Sequence, residues 1–155
     1  LYVADPVNNI LDRLDGASSQ DVVGIIGGAI AGPATFLSSP SGLVLDGNGR
    51  LLVSNAAAPL SLTIYSGAST ATGNIAPAAN ITGSATKLAS PGQLAFNKTV
   101  TTGEVYVADN LAGSILIYTN TNAANGNVPP ARIISGAGTG LVANGVNGVA
   151  LDTTR

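Results

Sequence analysis

The chain has 155 residues, 45% hydrophobic and 9% charged, with a formal net charge of −2; that is the size of one domain with ample apolar content for a core, and it excludes an intrinsically disordered chain. Its six cations (Arg13, Arg50, Lys87, Lys98, Arg132, Arg155) are scattered, so the footprint that nucleic-acid phosphates require is absent and no nucleic acid is expected as a partner. Histidine and cysteine are both missing, which excludes histidine-dependent catalysis, thiolate metal sites and disulfides within the chain.

In chain order, the first element is the short apolar strand Leu1-Tyr2-Val3-Ala4-Asp5. It returns as Leu51-Leu52-Val53-Ser54-Asn55 and as Val105-Tyr106-Val107-Ala108-Asp109, so the starts lie 50 and 54 residues apart. Spacings of about 40 to 50 residues are those of propeller blades. The chain 1–155 is thus a single segment of three repeats, 1–50, 51–104 and 105–155. Repeats two and three match without a gap from 61–88 to 114–141 at a constant offset of 53: SLTIY (61–65) faces SILIY (114–118), and GNIAPAANITG (73–83) faces GNVPPARIISG (126–136). The first repeat follows more loosely, with NNILDRL (8–14) and VVGIIGG (22–28) in the corresponding places.

The most apolar run, 22–32, has eleven residues and is rich in glycine, whereas a spanning helix needs about 20, so no membrane span is expected. Before each recurrence of the opening strand stands another apolar strand: SGLVLD (41–46), GQLAFN (92–97) and NGVALD (147–152). Each ends in Asp or Asn, which bond to their own turns. Asp46-Gly47-Asn48-Gly49 is a hairpin signal, 98–104 a longer form of the same connection, and 153–155 the place where the third should begin. Each period then holds four short strands with no helical periodicity. Continuous apolar runs predict strands buried on both faces, as in stacked sheets.

PSGLVLDGNGRLLVSN (40–55) and VYVADNLAGSILIY (105–118) resemble the NHL-repeat type of β-propeller, and the GN-x-x-P-x-x-x-I-x-G-x-x-T-x-L segments (73–88, 126–141) resemble a variant seen in bacterial exported propellers. The Asn-Arg-Ile core of many NHL repeats is absent, so that family's partner-binding roles do not carry over. The resemblance implies an all-β propeller of three blade equivalents, each of four antiparallel strands. Three blades cannot close a ring that takes four to eight, which makes this an incomplete ring, half of a six-bladed propeller if two copies dimerise.

The chain opens on the second strand of a blade and finishes on the first strand of the next, without an initiator methionine or targeting motif. A fragment or processed product is expected, with its terminal strands seeking partners because unpaired edges are adhesive. Leu1, Tyr2, Val3, Ala4 and Asp5 of one copy are expected to pair with Val149, Ala150, Leu151 and Asp152 of another. The alternatives are the remainder of a longer parent chain and open growth into a filament.

Among candidate sites, Asp5, Asn55 and Asp109 end equivalent strands and suit turn roles better than a channel Ca2+ site. Asp12, Asp15 and Asp21 lack the EF-hand pattern and read as solvated outer-strand charge. Glu104 starts a strand. Tyr65 with Tyr118, and Tyr2 with Tyr106, read as inter-blade packing rather than a sugar platform. The glycines of IIGG, ITGS and ISGA make no phosphate cradle, since no helix is expected after them. Asn80 and Asn97 head N-glycosylation sequons. The function expected is that of a non-catalytic extracellular or cell-surface module without cofactor or metal, a self-assembling scaffold. The other readings are a propeller binding carbohydrate or protein, and a fragment of a metal-dependent propeller hydrolase or lactonase.

Overall fold

A computed structural model describes residues 1–15 and 25–152. Asp21, positions 22–24 of the apolar run and the turn expected at 153–155 lie outside the described residues. The rest is all-β, in three antiparallel sheets that close no ring among those residues. The first sheet holds β1 (Tyr2–Asp5), β2 (Ile10–Asp15) and β3 (Ile25–Ala31). The second holds β4 (Pro40–Leu45), β5 (Leu51–Asn55), β6 (Ser61–Tyr65) and β7 (Ala79–Thr82), and the third β8 (Pro91–Asn97), β9 (Glu104–Asp109), β10 (Ser114–Thr119) and β11 (Arg132–Ile134). Each sheet is a meander in which sequence neighbours pair. No helix among the described residues is long and apolar enough to cross a membrane.

Strands of the middle sheet are apolar at successive positions because both faces are covered. Leu51, Val53 and Tyr65 pack with Leu11 and Ile30 of the first sheet, while Leu52, Leu62, Ile64 and Ile81 pack with Val105, Val107, Leu116 and Tyr118 of the third. All of β5 and β6 is buried, as expected for strands sandwiched between sheets. The sheets approach most closely at β4 and β8. A Cβ on Gly42 would lie 2.2 Å from the Gly92 carbonyl oxygen, and Ser41 and Ser54 donate to the carbonyls of Pro91 and Gly92 at 2.7 and 2.6 Å.

Turn residues act as their chemistry dictates. Asp46 accepts the Asn48 and Arg50 amides, each at 2.8 Å. Asp109 accepts three, from Ala89, Ser90 and Ala112. Asn55 has only one acceptor oxygen; it takes the Ser38 amide, the Ser39 amide goes to Asn9 instead, and the Asn55 NH2 donates to Ser61 and Thr63. Where the third repeat has Asp109, which cannot donate, Leu116 replaces Thr63 across the same register.

Three sequence readings change. The equivalent of NITG (80–83) in repeat one is Ala29-Ile30-Ala31-Gly32, four residues after the IIGG expected: the outer strand β3 runs on to Ala31, and Ile30 bridges Gly73 as Ile81 bridges Gly126. A one-turn 3-10 helix does follow each of Gly32, Gly83 and Gly136. It is built by a threonine hydroxyl that donates to the glycine carbonyl and accepts the amide two residues on, at Thr35, Thr86 and Thr139 alike. Finally, Val149, Ala150, Leu151 and Asp152 form no strand. That segment is docked against β8, with the Val149 amide on Gln93 Oε1 at 3.2 Å.

Two buried phenols bind the sheets in sequence. Tyr65 donates to the Thr35 carbonyl and Tyr118 to the Thr86 carbonyl, each at 2.5 Å and each reaching the preceding sheet's 3-10 turn. Burial raises the Tyr65 hydroxyl to about 12, and burial together with the charge of Asp109 raises that of Tyr118. Tyr65→Phe and Tyr118→Phe each strand a buried carbonyl, so each is expected to cost about 1 to 3 kcal/mol in urea unfolding; the partly buried Tyr2→Phe serves as a control within about 0.5 kcal/mol of the parent.

Candidate functional site

The molecule's distinctive surfaces are the two ends of its stack. At the first end, Leu1 is 67% and Val3 41% exposed, although their counterparts Leu51, Val53, Val105 and Val107 are fully buried. β1 is an edge strand, and beside it Leu1, Tyr2, Leu43, Val44, Leu45 and Leu51 line an apolar groove of about 290 Å³. The sequence-predicted assembly residues Leu1, Tyr2, Val3, Ala4 and Asp5 therefore share one exposed margin. Asp5 is also a turn residue: it accepts the Val7 and Asn8 amides and the Asn8 side chain, and the Asn8 bonds are the main cause of its lowered pKa.

At the other end, the outward face of the third sheet carries Tyr106, Ala108, Ile115 and Ile117, partly covered by Leu141, Val146 and Val149. The predicted partners Val149, Ala150, Leu151 and Asp152 lie at this end and do not meet Leu1 to Asp5 within one chain. The same isoleucine shows the difference between an inner and an end sheet: Ile30 is 2% exposed, Ile81 0% and Ile134 43%. Burying an isoleucine side chain is worth roughly 1.5 to 3 kcal/mol.

Beside Ile134 lies a polar cluster that the sequence reading missed. Glu104 accepts hydrogen bonds from Arg132, from the Tyr106 hydroxyl at 2.7 Å and from Asn97 Nδ2 at 3.4 Å. Burial alone would raise the Glu104 carboxyl, but the bonds from Tyr106, Arg132 and Asn97 outweigh it and hold the group below its ordinary value. The usable signal was its alignment with Arg50, whose guanidinium pairs with Asp46 at 2.6 Å and reaches Thr121 and Asn122 beside the next sheet at 3.2 and 2.6 Å. This position in the repeat addresses the following sheet.

The remaining candidates fall apart as sites. Asp12 and Asp15 lie on β2, which is the middle strand rather than an outer one, and Asp15 pairs with Arg13 at 3.0 Å. No group of three or more acidic residues is placed to hold a metal among the described residues. Asn80 sits within β7 with its Oδ1 buried, and Asn97 ends β8 with its Oδ1 taken by the Thr99 amide and hydroxyl.

Equivalent residues should respond unequally. Ile81→Ala is expected to cost about 2 to 5 kcal/mol in urea unfolding, and Ile134→Ala less than about 1 kcal/mol. Because the folded-state pKa of Glu104 is depressed, its contribution is present above the unfolded carboxyl value and is lost as pH falls through the folded one. Glu104→Gln is expected to flatten the acid limb of a stability profile measured between pH 6 and 2. No protein-family model and no curated protein matches this chain.

Proposed function

We propose that the chain is a stretch of an NHL-like β-propeller that acts as a non-catalytic structural module, extracellular or at the cell surface, and extends itself by completing its end sheets. The observation that carries this reading is the pairing of complementary defects. The first sheet has three strands, with β1 on its edge, where the others have four. The segment 147–152 lies against β8 as β8 lies against β4, yet has no sheet of its own. Such a segment, from another copy or from further repeats of a longer chain, would supply the missing neighbour of β1. It would also cover Leu1 and Val3 and fill the groove lined by Leu43, Val44 and Leu45.

Unpaired backbone on an apolar edge is adhesive, and a head-to-tail joint between these unlike edges, made twice, would close two copies into a ring. Light scattering across a hundredfold range of concentration is expected to show a mass rising from one chain to two. Val3→Lys, which puts a charge on the exposed margin while facing Asp12 across the β1–β2 pair, should raise the midpoint at least tenfold. A single-chain mass at every concentration would overturn assembly between copies.

A further inference from the structure

The interface between successive sheets is made twice in this molecule by the same four hydrogen bonds. Gly73 pairs with the outer strand of the sheet before it, its amide on the Ala29 carbonyl and its carbonyl on the Ala31 amide; Asn74 Oδ1 accepts the Ala34 amide at 2.8 Å, and Tyr65 donates to the Thr35 carbonyl. One repeat later, Gly126 pairs with Asn80 and Thr82, Asn127 Oδ1 accepts the Ala85 amide at 2.7 Å, and Tyr118 donates to the Thr86 carbonyl. The receiving turn is shaped for the asparagine. Gly32 and Gly83 sit at φ 117 and 116, and a Cβ there would fall 2.5 and 2.6 Å from the Asn oxygen.

A third receiving turn exists at Gly136 to Leu141, with the same threonine-built geometry and glycine φ 93. Nothing stands within 4 Å of the Cβ positions of Gly136 or Gly138. From the repeated geometry we infer that this turn is a docking site for a propeller repeat of one particular kind, bearing tyrosine at the end of its third strand and a following Gly-Asn. The inference rests on one form of the reading above, in which the open face is covered by a further repeat of a longer chain and not by the first sheet of a second copy. It goes beyond that reading by saying which: one like 61–88 or 114–141. The first repeat of this chain does not qualify. Its residue opposite Leu1's neighbourhood at the tyrosine position is Leu14, and the sequence has no asparagine from 10 to 47. A second copy docked by its first sheet leaves the Gly138 amide and Thr139 carbonyl without the pair that fills the two inner turns.

The test inserts a second copy of residues 98–152 between Asp152 and Thr153 of the full chain, and reads hydrogen exchange of the Gly138 amide. A comparison chain carries Tyr118→Leu and Asn127→Ala in the inserted copy only. Exchange should slow at least tenfold with the unaltered insert and return to within threefold of the parent with the altered one. To guard against an altered insert that fails to fold, the unmodified chain is also titrated with synthetic peptides spanning 114–130, with and without the same two changes, following the Gly138 and Ile134 resonances; only the unaltered peptide should shift them. Equal protection by both inserts, or equal shifts with both peptides, overturns the selectivity while leaving the covered-face reading intact. No protection and no shift in either format overturns both.

Discussion

A phenol that donates to a carbonyl in the sheet before it is the interaction on which the stack depends. A β-sheet covered on both faces has no polar edge of its own to fix its neighbour's position, and apolar contact is non-directional. Tyr65 and Tyr118 supply the missing direction: each ring contributes apolar area to the core between two sheets, and each hydroxyl reaches one backbone oxygen in a 3-10 turn. The Gly-Asn dipeptide then ties the outer margin, so that each sheet is located by an inner and an outer bond. Serine contacts between β4 and β8 do the same work at the narrow side, where glycine lets the backbones close up.

Charge is used sparingly. Arg50 spans from its own hairpin to a loop of the next sheet, and Glu104, its counterpart, is held by Tyr106, Arg132 and Asn97 on a face that no further sheet covers among the described residues. A buried carboxylate is tolerable only when its acceptor sites are filled, and Glu104 meets that condition within its own sheet.

The proposed function draws on the contrast between inner and end repeats. The same residue type at the same place in the motif is buried when a sheet stands on either side and exposed when one is missing, as Ile30, Ile81 and Ile134 show. Exposed core-type residues on a regular surface mark an interaction face, and here both ends of the stack carry one. Assembly through those ends is the proposal that makes use of them.

What could be read from residues alone was most of what local hydrogen bonding or strict repetition controls. The recurrence of LYVAD-like and SILIY-like strands, the Asp46 hairpin, and the turn roles of Asp5 and Asp109 all depend on groups a few residues apart, and the motif's fixed spacing exposes them. The Gly-x-x-Thr-x-Leu turn is equally local, yet it was read in only two repeats because the run 22–32 repeats glycine and isoleucine and so fits the pattern in more than one register. Pairing of Ile30 with Gly73, a contact between sheets, selects the register. Tertiary structure likewise decided that Tyr65 donates to a carbonyl 30 residues away, that Glu104 gathers Tyr106 and Arg132, and that Val149 to Asp152 form no strand. Each of these depends on which element stands beside the residue, and a side chain's own identity carries no record of its neighbour in space.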